Sequence, residues 1–117
     1  MFKRLLKSFT YAIEGLKVVW IEEQNFRIQT TVASLVLFAA YFFNFSFVEF
    51  VAIIIAIALV LLAEVLNTAI EDVCNAIEPG HDLEIKKIKD IIAAGVLVCA
   101  IASLAIGIFT VSHHFFF

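Results

Sequence analysis

The chain has 117 residues, of which 63% are hydrophobic and only 16% are charged. This composition excludes an ordinary soluble domain, in which about a quarter of the residues carry a charge. The net charge of −3 says little by itself, but the absence of a long basic patch argues against a nucleic-acid-binding protein. Because no linker, repeat or low-complexity segment interrupts the chain, we expect a single membrane domain over residues 1–117.

The N-terminal segment predicts an amphipathic helix. Apolar side chains recur at helical positions i, i+3, i+4 and i+7, while basic side chains fill the opposite face. The apolar set consists of Phe2, Leu5, Leu6, Phe9, Ile13, Leu16 and Trp20. A basic polar face with tryptophan at one end is typical of a helix that lies on a membrane surface. We therefore expect a surface helix over about residues 2–21 and not a signal peptide.

Three apolar segments follow, and each is long enough to cross a bilayer, which takes about 20 residues. They cover about residues 28–48, 50–77 and 91–111. Pro79 and Gly80 are expected to end the second segment. After the third, the sequence SHHFFF places histidines and aromatic rings where a membrane interface accommodates them. The predicted fold is an all-α membrane protein with one N-terminal surface helix and three transmembrane helices.

The lysines and arginines indicate which side faces the cytoplasm. All eight precede the first span or lie between the second and the third, while the connection NFSFVE has none. Because short cytoplasmic loops carry an excess of these residues, the N-terminus should be cytoplasmic and the C-terminus outside. Small residues on the second and third spans are compatible with close helix packing, and self-association is expected.

The second span carries polar side chains on one face. At about 100° per residue, Glu64, Asn67 and Glu71 fall on a single stripe, with about 10 Å between the two glutamates along the axis. A charge near the hydrocarbon costs on the order of 2.5–3.5 kcal/mol, so these carboxylates need partners, a metal or a reaction. Two interpretations stay open, a catalytic site and a non-catalytic oligomeric membrane scaffold. A channel ranks lower because the polar groups gather at one membrane face.

Two further clusters lie at the same cytoplasmic boundary. The segment WIEEQNFRIQ places Glu22 and Glu23 between the surface helix and the first span, where Glu23 can meet Glu71. Two carboxylates that leave room for waters and substrate phosphates suit Mg²⁺. The segment KKIKD begins the third span, and its lysines either bind a phosphate or anchor the helix. Lys89 beside Asp90 is the more specific pair.

Several familiar motifs are missing. The sequence has no GxxxxGK loop, glycine-rich fingerprint, HExxH motif or nucleophile elbow. A nucleotide would therefore bind by another architecture. Cys74 and Cys99 lie in apolar runs without CxxC spacing, which predicts two buried free thiols.

The segments EEQNFRIQ, AEVLNTAIED and KIKDIIAAGVL occur in an order and spacing that resemble the small prokaryotic diacylglycerol kinase family, which includes the undecaprenol kinases. The resemblance runs from about Arg4 to Val111. It implies a homotrimer in the bacterial inner membrane, with cytoplasmic active sites shared between subunits. It also implies transfer of the γ-phosphoryl group of MgATP to a membrane lipid alcohol. The product is phosphatidic acid from diacylglycerol, or undecaprenyl phosphate from undecaprenol.

The resemblance also implies roles for individual residues. Glu64 corresponds to the general base toward the lipid hydroxyl, with Asn67 beside it, and Glu23 and Glu71 correspond to the metal-binding carboxylates. The residues that match nucleotide contacts are Arg4, Glu23, Glu71, Lys89 and Asp90. The chain departs from the family pattern in places: Asn75 stands where many members have aspartate, and His81 is offset by one residue from the family's loop histidine. No role is carried over to Asn75 or His81.

Overall fold

The computed structural model describes residues 1–77 and 82–117. Within them the chain forms no β-strand and four α-helices: α1 (Phe2–Glu22), α2 (Gln24–Phe42), α3 (Phe47–Ile77) and α4 (Leu83–Phe116). The all-α prediction is confirmed. The predicted helix stop at Pro79 and Gly80 lies outside the described residues, as does His81.

A single residue separates α1 from α2. Glu23 has extended backbone angles, φ −112° and ψ 106°. Its N–H donates to the Val19 carbonyl at 2.9 Å, and its own carbonyl accepts from the Arg27 N–H at 3.3 Å. Helical hydrogen bonding therefore continues up to the corner from both sides, which leaves the Glu23 backbone little freedom. The predicted surface segment, about residues 2–21, is confirmed as a helix.

The turn between α2 and α3 differs from the prediction. The predicted first span, about residues 28–48, extends beyond the helix, because α2 ends at Phe42. Asn44 then takes a left-handed conformation with φ 59°, which asparagine tolerates better than most residues. Ser46 and Glu49 follow as a capping box: Ser46 Oγ accepts from the Glu49 N–H at 3.2 Å, and Glu49 Oε1 accepts from the Ser46 N–H at 2.8 Å. This S-x-x-E pattern sets the start of α3.

α3 and α4 pack against each other as an antiparallel pair and share the most extensive helix–helix contact within the described residues. At the end near the α3–α4 connection, Lys89 Nζ donates to Asn75 Oδ1 at 2.7 Å. Further along the pair, Ser103 Oγ donates to the Ala56 carbonyl at 2.8 Å. Asp82 caps α4 by accepting from two N–H groups of its first turn. The hydrogen bonds from Lys89 and Ser103 therefore join α3 and α4 at two positions along the pair.

The opposite end of this pair is closed by a buried glutamate and two histidines. Glu49 is 6% exposed, and its carboxylate oxygens lie 3.2 Å from His113 Nδ1 and 3.0 Å from His114 Nδ1. His114 Nε2 lies 2.9 Å from the Phe43 carbonyl, and its ring stacks on Phe45 at 4.1 Å. The histidines that the sequence places at a membrane interface therefore hold the end of α4 against the α2–α3 turn.

In the described part of the chain, α3 and α4 are the helices long and apolar enough to cross a membrane. They contain the predicted spans 50–77 and 91–111. α2, which contains most of the span predicted over 28–48, does not meet that criterion, because its first half is polar in the segment QNFRIQTT. The structure therefore confirms two membrane-capable helices of the three predicted.

α2, α3 and α4 line an apolar cleft with a volume of about 710 Å³. Gln29 is among its few polar lining residues, and the Gln29 Oε1 atom is buried without a hydrogen-bond partner within residues 1–77 and 82–117. Large apolar side chains of all four helices are also exposed. A single chain buries little of its apolar surface, so lipid or further subunits must cover the rest. Both cysteines carry free thiols, with Cys74 buried and Cys99 half-buried.

Candidate functional site

The predicted polar stripe lies on the C-terminal half of α3. Glu64 is 5% exposed, whereas Asn67 and Glu71 are half-buried. Thr68 lies one turn after Glu64, is also buried, and its Oγ1 donates to the Glu64 carbonyl at 2.9 Å. Of the two carboxylates on the stripe, Glu64 is therefore the one withdrawn from water.

Two further carboxylates, from two parts of the chain, lie near Glu64. Glu23 at the α1–α2 corner and Glu71 on α3 are both close enough for their charges to act on Glu64. α1 contacts α3 as well as α2. Like charges at this range repel, so a bound cation would stabilise the cluster. The structure thus brings Glu23 to the polar stripe within a single chain.

The donor set of Glu23 and Glu71 suits a hard cation. Among the described residues, no three His, Cys, Asp or Glu side chains are arranged as a metal site. Mg²⁺ does not require such a site, because it is commonly held by one or two carboxylates together with waters and substrate phosphates. Carboxylate oxygens also favour Mg²⁺ over metals that prefer sulfur or imidazole ligands. The residues present therefore fit Mg²⁺ bound together with a phosphate substrate.

The charged residues at the start of α4 pair across the helix turns and not with their neighbours in sequence. Lys86 Nζ lies 2.7 Å from Asp90 Oδ2, one turn later. Lys89, which the sequence places beside Asp90, donates instead to Asn75 Oδ1 on α3 at 2.7 Å. Adjacent residues on a helix point about 100° apart, so these two side chains take different partners. Because Asn75 lies four residues after Glu71 on the same face, Lys89 reaches the end of the stripe.

Arg4 is placed apart from the other predicted site residues. It is exposed near the start of α1. About 27 Å of helix separates Arg4 from Glu22 at the other end of α1. Within one chain, the structure does not bring Arg4 to the polar stripe.

The α1–α2 corner is fixed by Arg27, a residue that sequence reasoning missed. Its Nη1 donates to the Trp20 carbonyl at 2.6 Å and to the Ile21 carbonyl at 2.9 Å. Carbonyls of the last helical turn have no partner within their own helix, and basic side chains commonly satisfy them. The Trp20 ring also meets Phe26 edge-on, with 6.5 Å between centroids. Arg27 thus holds α2 against the end of α1 and sets the position of Glu23.

The Arg27→Met variant should loosen this corner. It keeps an apolar stem of similar length but loses both hydrogen bonds, which are worth about 1 kcal/mol in a partly exposed position. We expect a lower thermal unfolding midpoint and faster cleavage by a glutamate-specific protease after Glu22 and Glu23. Lys17→Met is the matched control, because Lys17 forms an exposed ion pair with Glu14 at 3.5 Å. Equal cleavage rates in the two variants would contradict the capping role of Arg27.

Comparison with known proteins gives the family. A model of the prokaryotic diacylglycerol kinase family matches residues 10–111. The chain belongs to this family. Six of the seven predicted site residues fall inside the matched range, and Arg4 precedes it.

Named relatives agree with the family assignment. The chain is 35% identical over 104 residues to a diacylglycerol kinase of Synechocystis sp., covering 88% of this chain but only 59% of the relative. It is 33% identical to the undecaprenol kinase of Bacillus subtilis, over 90% of this chain and 85% of the relative. It is 30% identical to the diacylglycerol kinase of Escherichia coli, over 88% and 84% of the two chains. Membership in this lipid kinase family and the two membrane-capable helices assign the protein to a membrane.

Proposed function

We propose that this kinase transfers the γ-phosphoryl group of ATP to the hydroxyl of a membrane lipid alcohol. The observation that carries the proposal is the placement of the buried Glu64 and the half-buried Glu71 on one face of α3, where the helix changes from apolar to polar. Side chains at such a boundary can contact both a lipid alcohol in the hydrocarbon and a nucleotide in water. The relatives are named for diacylglycerol and undecaprenol, and we propose one of these two as the acceptor.

Glu64 acts as the general base. Leu61, which precedes it by about one turn, lines the apolar cleft, so a lipid tail lying along the cleft would present its hydroxyl near the Glu64 carboxylate. The hydroxyl oxygen forms a bond to the γ-phosphorus while its proton passes to Glu64. The bond from that phosphorus to the bridging oxygen breaks, and ADP leaves with the bonding electrons. Asn67, next on the stripe, hydrogen-bonds the reacting groups.

The other site residues hold the nucleotide. Glu23 and Glu71 would hold Mg²⁺, which would supply positive charge to the phosphates when bound. The chain contributes the geometry, because the one-residue corner at Glu23 and the helical stripe keep the two carboxylates in place. Lys89 adds positive charge beyond Glu71, and Asp90, held by Lys86, completes the contacts from α4.

We also propose that α2, α3 and α4 all cross the bacterial inner membrane within a single domain over residues 1–117, with α1 on the cytoplasmic surface. α2 has 19 residues and a length of about 28 Å, close to the hydrocarbon thickness of about 30 Å. The first turn of α2 would lie at the cytoplasmic headgroups, where Arg27 binds the end of α1. The distribution of lysine and arginine supports this orientation.

A homotrimer with shared sites is part of the same proposal. The exposed apolar faces of the helices offer surface for other copies of the chain. Arg4 lies too far along α1 to reach the stripe of its own chain. A neighbouring subunit would supply Arg4 to the nucleotide at each site.

The test is transfer of label from γ-³²P-ATP to each lipid by the purified protein in bilayers. We expect magnesium-dependent labelling of diacylglycerol or undecaprenol, with the two lipids tested separately and then in competition. The oligomeric state is measured on the same sample by size-exclusion chromatography with light scattering. An assembled protein that labels neither lipid alcohol would overturn the proposed function.

A further inference from the structure

Asn75 has no part in the mechanism above, yet it contacts one of its residues. The half-buried Lys89 donates from Nζ to Asn75 Oδ1 at 2.7 Å, across the interface of α4 with α3. Asn75 follows Glu71 by one turn on the same face, and Glu71 follows Glu64 by about two turns. Asn75 lies about 6 Å beyond Glu71 along the axis of α3, so the hydrogen bond holds the ammonium group near the end of the stripe.

The chemical nature of the acceptor distinguishes Lys89 from its neighbour Lys86. Lys86 pairs with the carboxylate of Asp90 at 2.7 Å, so its charge is largely balanced. Lys89 is held by a neutral amide, which fixes its position without cancelling its charge. An ammonium group has three donors, and within residues 1–77 and 82–117 the bond to Asn75 occupies one of them. Lys89 is thus both positioned and electrostatically available.

We infer that Asn75 is a positioning residue that directs Lys89 toward the phosphates of ATP. The inference rests on the proposed function. Along α3, Glu64 faces the lipid alcohol and Glu71, two turns later, binds the metal. Lys89 of α4 lies beyond Glu71, at the level of Asn75. Because the transferred phosphoryl group lies near Glu64, Lys89 faces the phosphates that leave with ADP. A lysine already held in place loses less conformational entropy when the nucleotide binds.

The test compares Asn75→Leu with the wild-type enzyme. Leucine has a similar size but no acceptor, so we expect the KM for MgATP to rise about three- to tenfold, the size of one charged hydrogen bond at a partly exposed site. The KM for the lipid should not change. Asn75→Asp keeps an acceptor but balances the ammonium charge, so its KM for MgATP should lie between those of the wild type and Asn75→Leu.

A double-mutant cycle separates positioning from a structural role. In a Lys89→Met background, Asn75→Leu should leave the KM for MgATP unchanged, because there is no ammonium group left to position. Lys87→Met is the control for loss of an exposed positive charge in the same segment, with an expected KM within about twofold of the wild type.

Three outcomes would overturn the inference. The first is a wild-type KM for MgATP in Asn75→Leu, and the second is a full Asn75→Leu effect in the Lys89→Met background. The third is a rise in both KM values together with a lower unfolding midpoint, which marks a structural tie. Each of these leaves the proposed function intact if the wild type labels a lipid. Absence of transfer by the wild type overturns the proposed function and this inference together.

Discussion

The Glu64→Gln variant is expected to lose at least about a hundredfold in kcat for lipid phosphorylation while it keeps its oligomeric state. Glutamine preserves the volume and much of the hydrogen-bonding capacity at a site that is 5% exposed. It cannot accept the proton that leaves the lipid hydroxyl. Because substrate binding does not require this proton transfer, the KM for MgATP should change little. Initial rates of label transfer at saturating lipid and MgATP measure the effect.

The matched control for this variant is Glu49→Gln on the same helix. Glu49 is 6% exposed, so the change removes an equally buried charge, but at the other end of α3. We expect its kcat to stay within about threefold of the wild type, a small effect on the scale of general base catalysis. A non-catalytic scaffold predicts the reverse for Glu64→Gln, with weakened assembly as the main result. Retention of kcat in that variant would remove Glu64 as the base.

Replacing either proposed metal carboxylate should raise the magnesium requirement. In Glu23→Gln and Glu71→Gln, the concentration of Mg²⁺ that gives half-maximal rate is expected to increase at least about tenfold, as for loss of groups that support a bound metal. An amide oxygen is a weaker ligand and brings no negative charge to a site that must hold a divalent ion and a polyphosphate. Rates measured across a Mg²⁺ titration at fixed free ATP report the change.

Excess Mg²⁺ should restore part of the lost rate in both single variants, because one carboxylate remains in each. Asp72→Asn is the control, since Asp72 is exposed and adjacent to Glu71 on α3 but lies on another face of the helix. Its magnesium dependence should match that of the wild type. A shift of equal size in Asp72→Asn would mean that the effect comes from general surface charge and not from bound metal.

Much of the fold follows from periodicity in the sequence. The amphipathic repeat predicted α1, and the apolar runs predicted the helices that became α3 and α4. The end of α2 was missed because hydropathy continues through the turn, where the deciding groups are the left-handed Asn44 and the Ser46–Glu49 capping box. The link from Glu49 to the two C-terminal histidines was also missed, because it joins residues far apart in the chain.

The candidate site was predictable where one helix carries it. Helical spacing alone places Glu64, Asn67 and Glu71 on one stripe. Two features depended on contacts between helices and gave no local signal, namely the Arg27 cap that fixes the corner and the bond from Lys89 to Asn75. The role of each site residue and the trimer stay predictions, because they depend on bound substrates and on other copies of the chain.

The length of α3 links the chemistry to the thickness of the host membrane. Its 31 residues make a rod of about 46 Å, whereas the hydrocarbon layer measures about 30 Å. If the layer begins at Phe47, it would end near Asn67. Glu64 would then lie in the hydrocarbon and Glu71 among the headgroups. A thicker bilayer would move Glu71 into the hydrocarbon or reduce the tilt of the helix. A thinner bilayer would expose Glu64 to water. If α3 crosses the membrane as proposed, the position of its Ser46–Glu49 capping box sets the depth of Glu64 and Glu71 in the bilayer.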